Sequence, residues 1–270
     1  MKSSDITECG QIVRENDPDR FLLSLFASPD RRPDLWGLFA FNHEIAKTRE
    51  VVSDSTLGLI RLQWWRDEIG SIYAGERSAE NVVLGALSSV IHRYSLPQEH
   101  FHTLLYAREF DLENVCPGNL EGLLNYCDFT STPLLKLAVI IAGGEPEMEP
   151  VFPVAVNYAL AGLLRSVRVH AMQERCYLPE DLMERYNIVK SGLFSLKQQN
   201  SLGPLLSEIA QARTPGVKPA LPFLKAVSVL SDIYLNHLNR LKYNIYSPRY
   251  SIEPPFKALR LVLAIKFMHF

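Results

Sequence analysis

The strongest constraint on how this chain can fold is a helical repeat that stops at a proline, AGLLRSVRVHAMQERCYLP at residues 161–179. Leu160, Leu163, Leu164, Val167 and Ala171 recur every three or four residues, so one stripe of a long helix is apolar. Proline has no N–H and its ring clashes with the preceding turn. Pro179 therefore ends that helix and suits the first turn of the next. Ser166 and His170 lie four residues apart and share a face of the helix.

The same punctuation divides the rest of the chain. Asp17-Pro18 makes a helix start, with Asp as cap and Pro at the first position. Further helices are predicted over about 33–52, 55–74 (closed by Gly75), 78–95 and 97–111. One over 119–142 is expected to kink at Pro133 and stop at Gly143-Gly144, followed by the helix with the organising stripe over 151–176. A short helix after Pro179, a loop over 187–200, helices over 202–213 and 220–243, and a last helix from Pro255 complete the reading. No segment alternates apolar and polar residues with the β-branched enrichment of a sheet. The fold class is all-α, as a single domain over residues 1–270 with too many helices for a four-helix bundle.

A net charge of −2 supplies no general attraction to nucleic acid, so none is expected as a partner. Four cysteines without a CxxC pair argue against a disulfide framework or structural zinc and suit a reducing compartment. The first residues lack the apolar core of a secretory signal, and no apolar run approaches the ~18 residues of a spanning helix. The expected location is cytoplasmic. Dinucleotide, P-loop, nucleophile-elbow, HExxH and EF-hand signatures are all absent. His100 and His102 have the wrong spacing for a helical metal pair, and of Trp64-Trp65 at least one is expected in the core.

Three segments together resemble the squalene/phytoene synthase family. FLLSLFASPDRRPDLWGLFAF (21–41) looks like its opening helix pair, and NHEIAKTRE (42–50) stands where the family carries its first Asp-rich motif. Residues 165–179 follow the form of its second motif, ending in R-x-Tyr-Leu-Pro. The resemblance implies an isoprenoid synthase-type helical bundle around a central cavity. In that family two aspartates four apart on each of two helices hold Mg²⁺ ions, which neutralise a prenyl diphosphate and assist its departure. Here the aspartate positions of the first motif fall on Ala46 and Glu50, and those of the second on Ser166 and His170. An arginine position falls on His43 and an asparagine position on Gly162, whereas Arg165, Arg175 and Tyr177-Leu178-Pro179 match.

No confident catalytic residue and no bound cofactor follow from this set, and Glu50 is the one weak metal candidate. His43, Arg165, Arg175 and Tyr177 remain as ligand-binding candidates. The arginines have a structural alternative, in ion pairs with Glu44, Glu50 or Asp67. The resemblance is to a branch of the family in which the aspartates are likewise missing. It implies an assembly or interaction role, with respiratory complex I subunits or other assembly proteins as partners. An isoprenoid or lipid ligand and peripheral contact with the inner membrane fit the same branch. The last helix sets Phe256, Leu259, Val262, Leu263 and Phe267 against Lys257, Arg260 and Lys266, which suits packing on the bundle or docking on a membrane. The alternative is a divergent head-to-head prenyltransferase, using Mg²⁺ held by other acids such as Glu44, Asp67, Glu68 or Asp128.

Overall fold

Helix boundaries fall where capping chemistry puts them. The computed structural model describes residues 6–76, 80–113, 115–197 and 199–267. Helix α1 (Glu8–Asn16) is capped by the Thr7 hydroxyl, which accepts from the Gly10 N–H. It was not expected, because its sequence is largely polar and only Cys9, Gly10 and Val13 are buried. Asp17 caps α2 (Pro18–Ser24), accepting from the Arg20 N–H and pairing with its guanidinium.

The helix expected over 33–52 is two helices, α3 (Arg32–Ala46) and α4 (Thr48–Val51). They part at Lys47, whose ψ of −3° lies well off the helical value of about −42°. Asp54 then caps α5 (Ser55–Ala74), which ends at Gly75 with φ of 73°, a left-handed stop that glycine adopts without a Cβ clash. Next come α6 (Val82–Tyr94) and α7 (Gln98–Glu113); the start expected at residue 78 lies outside the described residues. Pro133 sits inside α8 (Leu120–Ala142), which Gly143 closes with φ of 91°.

The organising helix is α9 (Val151–Met172), four residues shorter than expected. Glu174 takes φ of 55°, and the Arg175 N–H turns back to the His170 carbonyl at 2.8 Å. Arg175, Cys176 and Tyr177 have therefore left the helix. The expected helix over 151–176, which would have carried both Arg165 and Arg175, is corrected to one that holds only the first. After α10 (Glu180–Arg185), the expected loop over 187–200 holds a short α11 (Lys190–Phe194). The chain continues through α12 (Leu202–Gln211), α13 (Pro222–Arg240) and α14 (Lys257–Phe267), with 3-10 turns at Pro29–Arg31 and Pro248–Ser251. Among the described residues there is no strand, and no helix is long and apolar enough to cross a membrane.

The Cα positions cluster into two units. The first takes the chain up to residue 113 together with 132–151 and 220–224. In it α1 and α6 pack on α3 while α5 packs on α7. Phe41 meets Trp65 and Phe101 edge to face, with centroids 5.4 and 5.6 Å apart. Trp65 is buried and Trp64 is partly exposed, as expected for neighbouring residues on one helix. The Glu149 carboxylate accepts from the N–H groups of Ala220 and Leu221, at 3.0 and 2.7 Å, where α13 begins.

The second unit takes 114–131, 152–219 and 225–270. Its core includes the stripe expected on α9, with Leu160, Leu164, Val167 and Ala171 all buried, together with Leu205 and Ile209 of α12. The Tyr250 hydroxyl donates to the Leu164 carbonyl in the middle of α9. This bond satisfies a phenol that would otherwise be buried alone.

Candidate functional site

The positions that match the family's first metal motif belong to the first unit. Ala46 is the last residue of α3, while Glu50 is exposed on α4 beyond the break at Lys47. The His43 imidazole is half-buried one turn before Ala46, and desolvation, followed by the Lys47 charge, pushes its pKa down. Glu44 is occupied by Lys47 and by the Arg61 guanidinium at 2.9 Å, and Asp67 accepts from the Gln63 amide at 2.8 Å. Two of the alternative acids thus have local structural partners.

The second set belongs to the second unit. Ser166 and His170 do share a face of the unbroken α9, and Gly162 precedes Ser166 by one turn. Arg165 lies over the Tyr234 ring, its guanidinium carbon 3.6 Å from the centroid, with the Glu253 carboxylate 3.7 Å away. Glu253 also accepts from the Tyr234 hydroxyl (2.8 Å) and from Lys257 (2.7 Å). This cluster joins α9, α13 and α14, and its acid was not among those proposed for Arg165 from sequence. Glu253 is 88 positions from Arg165, and no spacing rule connects them.

Beyond α9 the chain turns Tyr177 back onto His170, with ring centroids 4.9 Å apart, and onto Tyr126 of α8 at 5.3 Å. His170, Arg175 and Tyr177 line a small cavity with Leu160, Leu163 and Val167. It closes to about 20 Å³, room for a single water rather than an apolar chain. A wider cleft of about 460 Å³ in the same unit is lined by Asn200, Ser207, Asn239, Lys242 and Tyr246. None of the family-matched positions reaches it, and no sequence pattern marked it.

Three of the four positions that would carry metal-binding carboxylates hold Ala46, Ser166 and His170. Among the described residues no group of three or more His, Cys, Asp or Glu side chains converges as a metal ion requires. Mg²⁺ coordinates through oxygens, above all carboxylates, so this residue set does not fit a prenyl-synthase metal cluster.

Helices in this order, two of which carry the degenerate acidic motifs, define a prenyl-synthase scaffold. A dehydrosqualene synthase structure superposes with a TM-score of 0.81, covering 97% of this chain and 95% of its own at 16% identity. The family model for squalene/phytoene synthase matches residues 13–251. The chain belongs to the squalene/phytoene synthase family. Among its relatives, the human protein named NADH dehydrogenase (ubiquinone) complex I, assembly factor 6 is 24% identical, covering 96% of this chain and 80% of the relative. Tomato (Solanum lycopersicum) phytoene synthase 2, chloroplastic, is 23% identical over 98% of this chain and 91% of the relative.

The contacts of Arg165 give a direct test of its role. A cation over an aromatic ring contributes ~0.5–2 kcal/mol depending on its desolvation. Arg165→Met is therefore expected to lower unfolding stability by about 1 kcal/mol in urea titration. Inorganic pyrophosphate should leave the melting temperature of wild type and variant alike unchanged. A pyrophosphate-dependent rise that Arg165→Met removes would assign the arginine to anion binding instead.

Proposed function

We propose that this protein is a non-catalytic assembly or interaction factor on a prenyl-synthase scaffold, and that it helps to assemble respiratory complex I. The observation that carries the reading is the state of the metal motifs: one carboxylate, Glu50, at four positions that need four. Losing a single hydrogen-bonding partner behind a metal ligand costs ~10–100-fold in affinity or activity. Losing three ligands removes the means of holding Mg²⁺ against a diphosphate. The likeness to the human assembly factor along nearly the whole chain supports the same reading.

In this reading the protein works without a bound metal, and its partners are complex I subunits or other assembly proteins. A hydrophobic ligand such as an isoprenoid or lipid tail belongs to the same reading, held elsewhere than in the closed pocket beside His170. The protein acts from the cytoplasmic side, and contact with the inner membrane would run through α14. There Leu259, Val262, Leu263 and Phe267 are exposed on a helix that carries Arg260 and Lys266 and no acid.

Two measurements test the proposal together. Cells deprived of the protein should lose assembled complex I and NADH:ubiquinone activity, and wild type and Glu50→Ala should restore both equally. The purified protein with Mg²⁺ and farnesyl or geranylgeranyl diphosphate should release no pyrophosphate. Mg²⁺-dependent release that disappears in Glu50→Ala would replace this reading with a prenyltransferase.

A further inference from the structure

The turn that follows α13 builds one wall of a cleft in the second unit. Its Lys242 N–H donates to the Asn239 carbonyl at 2.9 Å, and its Tyr243 N–H to the Leu238 carbonyl at 2.9 Å. Ending the helix this way puts Lys242 and Tyr243 both at φ of 51°, a region that two successive non-glycine residues rarely share. Such backbone persists only where its surroundings hold it. Helix α12 lies close against the turn: a Cβ added to Gly203 would stand 2.9 Å from the Lys242 carbonyl oxygen. Tyr246 ties the end of the turn to the chain before α12. Its hydroxyl donates to the Lys197 carbonyl at 2.9 Å and accepts from the Gln199 N–H at 3.2 Å. Between α12 and this turn lies the cleft of about 460 Å³, within the ~300–1,000 Å³ range of ligand pockets.

Carboxamides set the chemistry of its lining. Asn200, Ser207, Asn239 and Lys242 line the cleft, and among the described residues their side chains have no hydrogen-bond or ion-pair partner within the protein. Asn244 accepts the Tyr246 N–H on its Oδ1 at 3.0 Å, which leaves its amide hydrogens to the cleft. Among the described lining residues Lys242 is the one charge, and there is no carboxylate. A carboxamide holds a donor and an acceptor side by side, which is what a peptide group needs. The molecule already contains that pairing, because Asn157 takes both backbone groups of Thr214, at 2.7 and 2.9 Å. Pro204 and Tyr243 add apolar surface between the polar groups.

We propose that this cleft binds an extended segment of a partner protein that carries an acidic side chain. Asn200 and Asn239 pair with its peptide groups as Asn157 pairs with Thr214, and the Lys242 ammonium meets its carboxylate. An extended segment leaves its backbone N–H and C=O groups without partners of its own, so main-chain hydrogen bonds supply the affinity. The lone cation sets the sign of the partner. A basic segment would place its charge beside Lys242 with no acid in the lining to offset it. The positions of the lost metal motifs take no part, since none of them lines the cleft. The proposal rests on the interaction role proposed above and gives that role a surface.

Fluorescein-labelled pools of acetylated, amidated pentapeptides, alike except for Asp, Asn or Lys at the central position, test this by anisotropy on the full-length protein. The Asp pool should bind about threefold tighter than the Asn pool, the scale of an exposed ion pair, and the Lys pool should bind weakest. Lys242→Met should erase the difference between the Asp and Asn pools, and added salt should narrow it in wild type. Asn239→Ala should weaken both pools alike by about fivefold, as for one hydrogen bond lost to the peptide backbone. Both side chains are exposed, so neither change should move the melting temperature. Binding by no pool, or an Asp preference that survives Lys242→Met, would overturn the proposal. In cells deprived of the protein, the double variant Asn239→Ala, Lys242→Met should restore complex I less than wild type does. Equal restoration would overturn the proposal. Failure of wild type itself would instead remove the assembly role, and the peptide pools would still decide the cleft.

Discussion

Replacing Trp36 by alanine is expected to remove about 3–5 kcal/mol from the stability of the protein, the range for deleting a buried aromatic side chain. The indole is 1% exposed and stands where three helices meet. It stacks on Phe21 of α2, with centroids 5.4 Å apart and planes 12° apart, and its Nε1–H donates to the Ser24 hydroxyl at 2.8 Å. From the other side α1 presents Gly10, where an added Cβ would lie 2.7 Å from the indole Cε3. A whole domain is stable by only ~5–15 kcal/mol, so this one site holds a large share. Urea titration should show the midpoint falling sharply in Trp36→Ala and less in Trp36→Phe, which keeps a ring against Phe21 but leaves Ser24 without its donor. Gly10→Ala should cost ~1–3 kcal/mol by overpacking, and less than that in the Trp36→Ala background, where the vacated space accepts the methyl. A loss below about 1 kcal/mol in Trp36→Ala would mean that α1 and α2 contribute little to holding α3.

That junction also shows where sequence reading stops. The start of α2 was legible because Asp17-Pro18 is a local signal, a cap and a preset φ. The end of α5 was legible for the same reason, since Gly75 supplies the left-handed residue. Helix α1 was missed because its stability comes from packing its one buried stripe on α3 and α6. Its own residues are poor in apolar content. The break at Lys47 and the end of α9 at Met172 have no proline or glycine to mark them. In the second case the chain reverses through Glu174 at positive φ, which a non-glycine residue adopts here against local preference.

The candidate site divides along the same line. Positions 46, 50, 166 and 170 could be found because their significance lies in which residue type is missing, and that is written in the sequence. What Arg165 does could not, because Tyr234 and Glu253 reach it through the packing of α13 and α14.

Asn157→Asp should be destabilising in a way that depends on pH, and this follows from the direction of two hydrogen bonds. Asn157, buried on α9, donates from Nδ2 to the Thr214 carbonyl at 2.7 Å and accepts from the Thr214 N–H at 2.9 Å. Its amide thus satisfies both polar groups of one residue in the link to α13, as a neighbouring backbone would. Asn157→Ala leaves the N–H and the C=O of Thr214, an exposed residue, to water and should cost about 1–3 kcal/mol, at ~0.5–1.5 kcal/mol for each hydrogen bond lost. In Asn157→Asp the N–H keeps its acceptor, but an ionised carboxylate would face the Thr214 carbonyl oxygen. Only the protonated acid can donate there, so the folded state raises the pKa of the new aspartate above its unfolded value of about 3.9. A folded state that holds the proton more tightly loses stability as pH rises. Asn157→Asp should therefore be close to wild type below pH ~4 and fall away from it as pH climbs through the raised folded value. Parallel unfolding curves at several pH values check this, with Asn157→Ala as the control whose deficit stays constant. A deficit in Asn157→Asp that is the same at all pH values would show that Thr214 does not need the donor.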